Sequence, residues 1–170
     1  MRSRRDLLLA GAGTVSLLLL AGCATPRTSR DAAAQTAPSS SWSGRLSLRV
    51  DDAASQSFAA LFDLNGTPER GTLSLTSPIG STLADLSWTP TEALLRSGGQ
   101  TRRYESVDAL VTAATGAAVP VRALFAWLDG RDEDVTGWRP DLSRIADGRL
   151  NAVRETPSPR AELRVIFDRP

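Results

Sequence analysis

The stretch GTLSLTSPIGSTLADLSW, residues 71–88, decides the fold. Leu73 and Leu75 alternate with Thr72, Ser74 and Thr76, and beyond a short turn Ala84, Leu86 and Trp88 share one face in the same way. Period-two alternation marks a half-buried strand, and two such runs joined by a few turn residues make an antiparallel hairpin. Pro78 suits the second position of a β-turn and Gly80 its end. Ile79 does not fit so easily. Turn tips face water and ordinarily carry polar residues, so an isoleucine at the tip implies contact with something apolar.

The same period extends in both directions. WSGRLSLRV (42–50) sets Leu46, Leu48 and Val50 against Arg45, Ser47 and Arg49, and SFAALFDL (57–64) aligns Phe58, Ala60, Phe62 and Leu64. With EALLRS (92–97), five strands follow one another as an antiparallel meander. The period then changes. SVDALVTAATG spaces Val107, Leu110, Val111 and Ala114 as a helix, with Ser106 as N-cap and Gly116 as stop. VPVRALFAWLDG predicts a second helix with Pro120 near its first position, Val121, Leu124, Phe125 and Leu128 along one side, and Gly130 as stop. LSRIADGRLNAV reads as a hairpin with Asp147-Gly148 as a type I′ turn. AELRVIF closes the chain with Leu163, Val165 and Phe167 inward. The expected class is α+β: a strongly curved antiparallel sheet with helices on one face.

The N-terminus gives an address. A basic start (Arg2, Arg4, Arg5) and an apolar run lead to Leu20-Ala21-Gly22-Cys23. This is a secretory signal layout, and the apolar run is short and glycine-broken for a membrane span. The last four residues resemble the lipobox of bacterial lipoproteins, which implies cleavage before Cys23 and acylation of it. Arg4-Arg5 also resembles a twin-arginine signal, leaving both export routes open. In enterobacterial lipoproteins Asp after the Cys retains the protein in the inner membrane, so Ala24 resembles an outer-membrane address. Acyl chains at ~0.8 kcal/mol per buried methylene make such an anchor effectively permanent. The domains expected are a signal peptide (1–22), a flexible tether (23–41) rich in Ala, Ser, Thr and Pro, and one folded domain (42–170).

The residue inventory excludes most catalysis. The chain has no His and no Lys, and Cys23 is its one cysteine, so no internal disulfide forms. The common general bases, Schiff-base lysines, Ser-His nucleophiles and His/Cys metal sites are absent. The acidic run Asp129–Asp134 is broken by Arg131 and lacks EF-hand spacing, so it reads as a solvated loop, and GGQ (98–100) reads as a hairpin turn rather than a phosphate loop. Neither an enzyme nor a cofactor or metal is expected. All 20 basic residues are Arg; beyond residue 22, 17 remain against 18 acids, scattered rather than clustered, so nucleic acid is not expected as a partner.

The motifs together resemble the LolB family of outer-membrane lipoprotein receptors. The resemblance rests on the lipobox at Cys23, on SGRLSLRV, on LSLTSPIGST (73–82), and on the pattern running from Tyr104 through VPV to WLDG at Gly130. It implies an open, incomplete β-barrel covered by helices, anchored in the inner leaflet of the outer membrane and facing the periplasm. It implies an apolar cavity for the acyl chains of lipoprotein cargo handed over by a periplasmic carrier of the LolA type. It also implies a protruding loop, here Pro78, Ile79 and Gly80, that delivers the cargo; family members usually carry Leu where Ile79 stands. The expected cavity residues are Leu46, Leu48, Phe62, Leu75, Leu86, Val121 and Leu124, and a monomer is expected. Two features depart from the family. Asp63 stands where well-known members carry Trp, and a short C-terminal part implies fewer strands and a smaller or more open cavity. The competing reading is a structural envelope lipoprotein that binds a protein partner and has an ordinary filled core.

Overall fold

The computed structural model describes residues 40–51 and 57–168. The expected signal peptide, Cys23 and all but the end of the expected tether lie outside them. The elements are β1 (Ser40–Asp51), β2 (Ser57–Gly66), β3 (Gly71–Thr76), β4 (Thr82–Thr89), β5 (Glu92–Ser97), β6 (Gln100–Tyr104), α1 (Val107–Thr115), α2 (Val121–Leu128), β7 (Trp138–Asp141), β8 (Arg149–Arg154) and β9 (Arg160–Asp168). Among the described residues the strands form one antiparallel sheet in the order β6-β5-β4-β3-β2-β1-β9-β8-β7. The sheet curves without closing, because β6 and β7 do not pair, and the two helices cover its concave side. This is the open, incomplete barrel expected.

Alternation does the sorting. Leu46, Leu48 and Val50 of β1, Phe62 and Leu64 of β2, Leu73 and Leu75 of β3, and Leu163, Val165 and Phe167 of β9 all point into the core. Their neighbours in sequence face solvent. β9 returns beside β1, setting Leu163 opposite Leu48 and Val165 opposite Leu46. The last strand therefore completes the wall that the first one begins.

α1 starts where Ser106 Oγ accepts the Ala109 N–H at 3.1 Å and ends at Gly116 in the left-handed conformation. Only Leu110 and Val111 of α1 are fully buried, a narrow stripe. α2 is buried on nearly all sides: Val121, Ala123, Phe125, Ala126, Trp127 and Leu128. The Phe125 ring meets Trp42 edge-on at 5.4 Å and Trp88 at 6.4 Å, and Trp127 lies 6.1 Å from Trp138. Each such pair adds about 0.5–1.5 kcal/mol beyond simple burial. The Trp127 and Trp88 indoles donate to the carbonyls of Glu133 and Thr67, so neither buried N–H is left unmet.

The structure differs from the sequence expectation at four places. A sixth strand, β6, follows the turn at Gly98-Gly99; it is exposed along nearly all its length, so no apolar alternation announces it. β1 begins at Ser40, inside the expected tether. Pro120 is the N-cap of α2 rather than its first residue. The hairpin near residue 147 has no two-residue turn. Its first strand is Trp138–Asp141, and Leu142–Gly148 form a longer connection with a 3₁₀ turn at Ile145–Asp147. The reason is local: the Ser143 N–H donates to Asp141 Oδ1 at 3.0 Å and turns the chain out of the sheet. Hydrogen bonds from Ser143 hold the Asp141 carboxyl below the usual carboxylate range.

Candidate functional site

Two features can touch an apolar ligand. The first is a cavity of about 30 Å³ between the concave sheet and both helices. Leu46 and Leu48 (β1), Phe62 and Leu64 (β2), Leu73 (β3) and Leu163 and Val165 (β9) wall its sheet side. Val111 and Thr115 (α1), Val119 of the linker, and Leu124 and Leu128 (α2) close it from above. Thr115 brings the sole hydroxyl, which already donates to the Val111 carbonyl at 2.9 Å. Such a wall offers nothing to a polar guest and everything to a hydrocarbon. The space is that of a couple of water molecules. An acyl chain enters only if the helices lift.

Of the expected cavity residues, the structure brings Leu46, Leu48, Phe62 and Leu124 to this space. Leu75, Leu86 and Val121 are fully buried in the core away from it. Sequence reasoning missed the β9 wall, because nothing local says that β9 pairs with β1. It missed Val119 because the linker has no period. Leu64 and Leu73 carried the same signal as their chosen neighbours.

The helices are held unequally. α2 carries the aromatic pins at Phe125 and Trp127. α1 is joined to it by Asp108, whose Oδ1 accepts the Val121 N–H at 3.0 Å. With its narrow stripe, α1 is the weaker half of the cover.

The second feature is the β3–β4 turn. Gly80 N–H donates to the Ser77 carbonyl at 2.9 Å and Ser77 N–H to the Ser81 carbonyl at 2.8 Å, with Ser81 N–H also bonded to Ser77 Oγ. Pro78 and Ile79 occupy the corner of this closed loop, and Ile79 is 89% exposed. Asp63, expected from the resemblance to stand where the family carries Trp, lies exposed on the convex side, between Ser43 and Ser74. Among the described residues no group of three or more metal-ligating side chains converges, and no helix is long and apolar enough to cross a membrane.

The chain is thus an open antiparallel half-barrel, covered by helices around an apolar interior and bearing one exposed aliphatic loop. The family described as "Outer membrane lipoprotein LolB" matches residues 39–165. The chain belongs to this family and is an outer-membrane lipoprotein. Among its relatives, the outer-membrane lipoprotein LolB of Bordetella petrii is 30% identical over 89% of this chain and 88% of its own. That of Cupriavidus metallidurans is 34% identical over 92% of this chain and 76% of its own. That of Ralstonia nicotianae is 37% identical over 83% and 69%.

Proposed function

We propose that this protein accepts acylated lipoproteins from a periplasmic carrier, shelters their acyl chains beneath its helices, and delivers them into the outer membrane through the Ile79 loop. The observation that carries the reading is Ile79 itself: an aliphatic side chain, 89% exposed, on a turn closed by its own backbone. A rigid turn keeps the side chain out of the protein's own core. Burying it in lipid contributes roughly 1.5–3 kcal/mol, enough to bias docking at a bilayer. Glu there meets the cost of taking a charge into an apolar layer.

Transfer from a loaded carrier to outer-membrane vesicles tests this. Ile79→Glu is expected to accept cargo and retain it, while Ile79→Leu delivers normally. Full delivery by the Glu variant would remove the loop from the mechanism. Cys23 is the proposed acylation site and the anchor in the outer-membrane inner leaflet. Cys23→Ala is expected to be soluble or mislocalised and to lose palmitate labelling; label persisting on the variant would exclude Cys23.

The narrow cavity favours a second reading, a structural lipoprotein with a filled core. The two differ in whether the helices lift. Native mass spectrometry of the protein lacking its anchor decides: co-purifying lipid or acylated peptide belongs to the receptor, and its absence even after exposure to acylated peptide belongs to the filled core.

A further inference from the structure

Besides Ile79, one large hydrophobic residue among the described residues is exposed: Ile166, at 54%. It lies on the convex face of β9, directly between Arg45 of β1 and Arg149 of β8. Arg45 in turn opposes Leu61 of β2, and Leu61 opposes Thr76 of β3. Directly opposed residues share a face at about 5 Å spacing. Arg149, Ile166, Arg45, Leu61 and Thr76 thus form one row across five strands, and the row ends at the base of the Ile79 turn. Among the described residues neither Arg45 nor Arg149 is in an ion pair.

Charge on this face is sorted along the strands. One row away from the Ile79 end stand Asp168, Ser43, Asp63, Ser74 and Asp85, with Arg96 as the single base in line. Toward the Ile79 end stand Arg164, Arg49 and Arg160, each paired with an acid: Glu162, Asp51, and Asp51 with Glu155. Two exposed charges of β7 on that side are in no ion pair among the described residues: Asp141, in line with Arg164, and Arg139, in line with Glu162 and Arg49. Together with the Ile166 row, the unpaired charge is therefore three arginines (Arg45, Arg149 and Arg139) against one aspartate.

We propose that the Arg45–Ile166–Arg149 row is a second membrane-contact surface, recognising the anionic phosphate headgroups of the outer-membrane inner leaflet and seating the molecule with its Ile79 end toward the bilayer. Two observations select a lipid surface over a protein: the patch continues to the apolar loop, and its net unpaired charge is positive and complementary to phosphate, while the row with three acids lies one step farther from the Ile79 end. The surface rests on the reading of Ile79 as a membrane loop, but either can fail alone. Each arginine near an anionic surface contributes about fivefold in the ratio of seated to unseated molecules.

The full acylated chain, anchored in vesicles, tests this directly. Its one native cysteine is the proposed acylation site, so a thiol-directed fluorophore goes only to an introduced cysteine. Three variants are labelled: Ile79→Cys, Ile166→Cys, and Ser87→Cys, an exposed convex-face position on the side away from Ile79. Nitroxide-headgroup lipid is the quencher, in phosphatidylethanolamine vesicles with or without phosphatidylglycerol. Positions 79 and 166 are expected to quench with phosphatidylglycerol present and position 87 not. Adding Arg45→Gln with Arg149→Gln is expected to lower the ratio of seated to unseated molecules at 166 by about thirtyfold, and high salt is expected to lower it in the same direction. Quenching at 79 with 166 no better quenched than 87 overturns the surface and leaves the loop intact. No quenching at either overturns both. Quenching at 166 that ignores phosphatidylglycerol and the double variant overturns the assignment to anionic headgroups.

Discussion

Two connections in this fold each carry one isoleucine and treat it in opposite ways. In Ser77–Ser81 the chain closes in five residues, and Ile79 is thrown outward at 89% exposure. In Leu142–Gly148 it takes a longer path. The Ile145 N–H bonds the Leu142 carbonyl at 3.0 Å, and the side chain folds back against the core. There it lies under the end of α2, with its Cγ2 3.6 Å from where a Cβ on Gly130 would stand. Composition alone does not separate the two. What does is whether the loop has enough residues to return its side chain to the core. A loop that has too few, and still carries Ile, keeps it for something outside.

The comparison breaks most severely at Gly148. Its φ is +67°, and a Cβ there would stand 2.1 Å from the Phe167 carbonyl oxygen, beside the bond that Phe167 N–H makes to the Gly148 carbonyl at 2.8 Å. Neither backbone can move without unpairing β8 from β9. Gly148→Ala is expected to cost roughly 3 kcal/mol or more in chemical denaturation. A loss below ~1 kcal/mol would mean that the connection adapts, and that Ile145 is not fixed by it.

Ile145→Ala comes next. Complete burial of an isoleucine sets the loss at about 2–5 kcal/mol, and partial burial brings it to roughly 1–2 kcal/mol. Gly80→Ala follows. Its φ is +88°, but nothing stands within 4 Å of the added methyl, so only the left-handed backbone is penalised, at roughly 1 kcal/mol. If Gly80→Ala proved as harmful as Gly148→Ala, the Ser77–Ser81 turn would be packed against something, and the contrast between the loops would fail. The expected order is read from shifts in the denaturation midpoint at constant slope.

The same contrast explains what was legible in the sequence. Alternation found β1 to β5 and β9, and helical spacing with Ser106 and Gly116 found α1, because in each the buried face and the period coincide. It missed β6, where QTRRY shows solvent on both sides and the strand exists only because Gly98-Gly99 turns it back onto β5. It misplaced β7 because Ile145, an inward apolar residue, mimics a strand position while sitting in a 3₁₀ turn. The candidate site divides likewise. Ile79 was visible because it breaks a local rule. The cavity wall was half visible, since Leu46 and Leu75 follow one pattern while the packing of α1 and α2 alone decides which of them meets a void. The strand order that brings Leu163 to Leu48 is long-range and leaves no mark on either strand.

The smallest expected effect is on Ile79 itself. At 89% exposure its side chain gives the folded state almost no burial, so Ile79→Glu and Ile79→Ser should shift stability by no more than about 0.5 kcal/mol. Pro78, Gly80 and the hydrogen bonds that close the turn remain in both variants. The Glu carboxylate, free in water, gains no partner and loses no hydration in the folded protein. This near-silence gives the delivery experiment its meaning: a variant that melts with the parent and still fails to release cargo has lost a contact made outside the protein. Should Ile79→Glu instead cost as much as Ile145→Ala, the turn would be folded back onto the domain in solution. The two loops would then be alike.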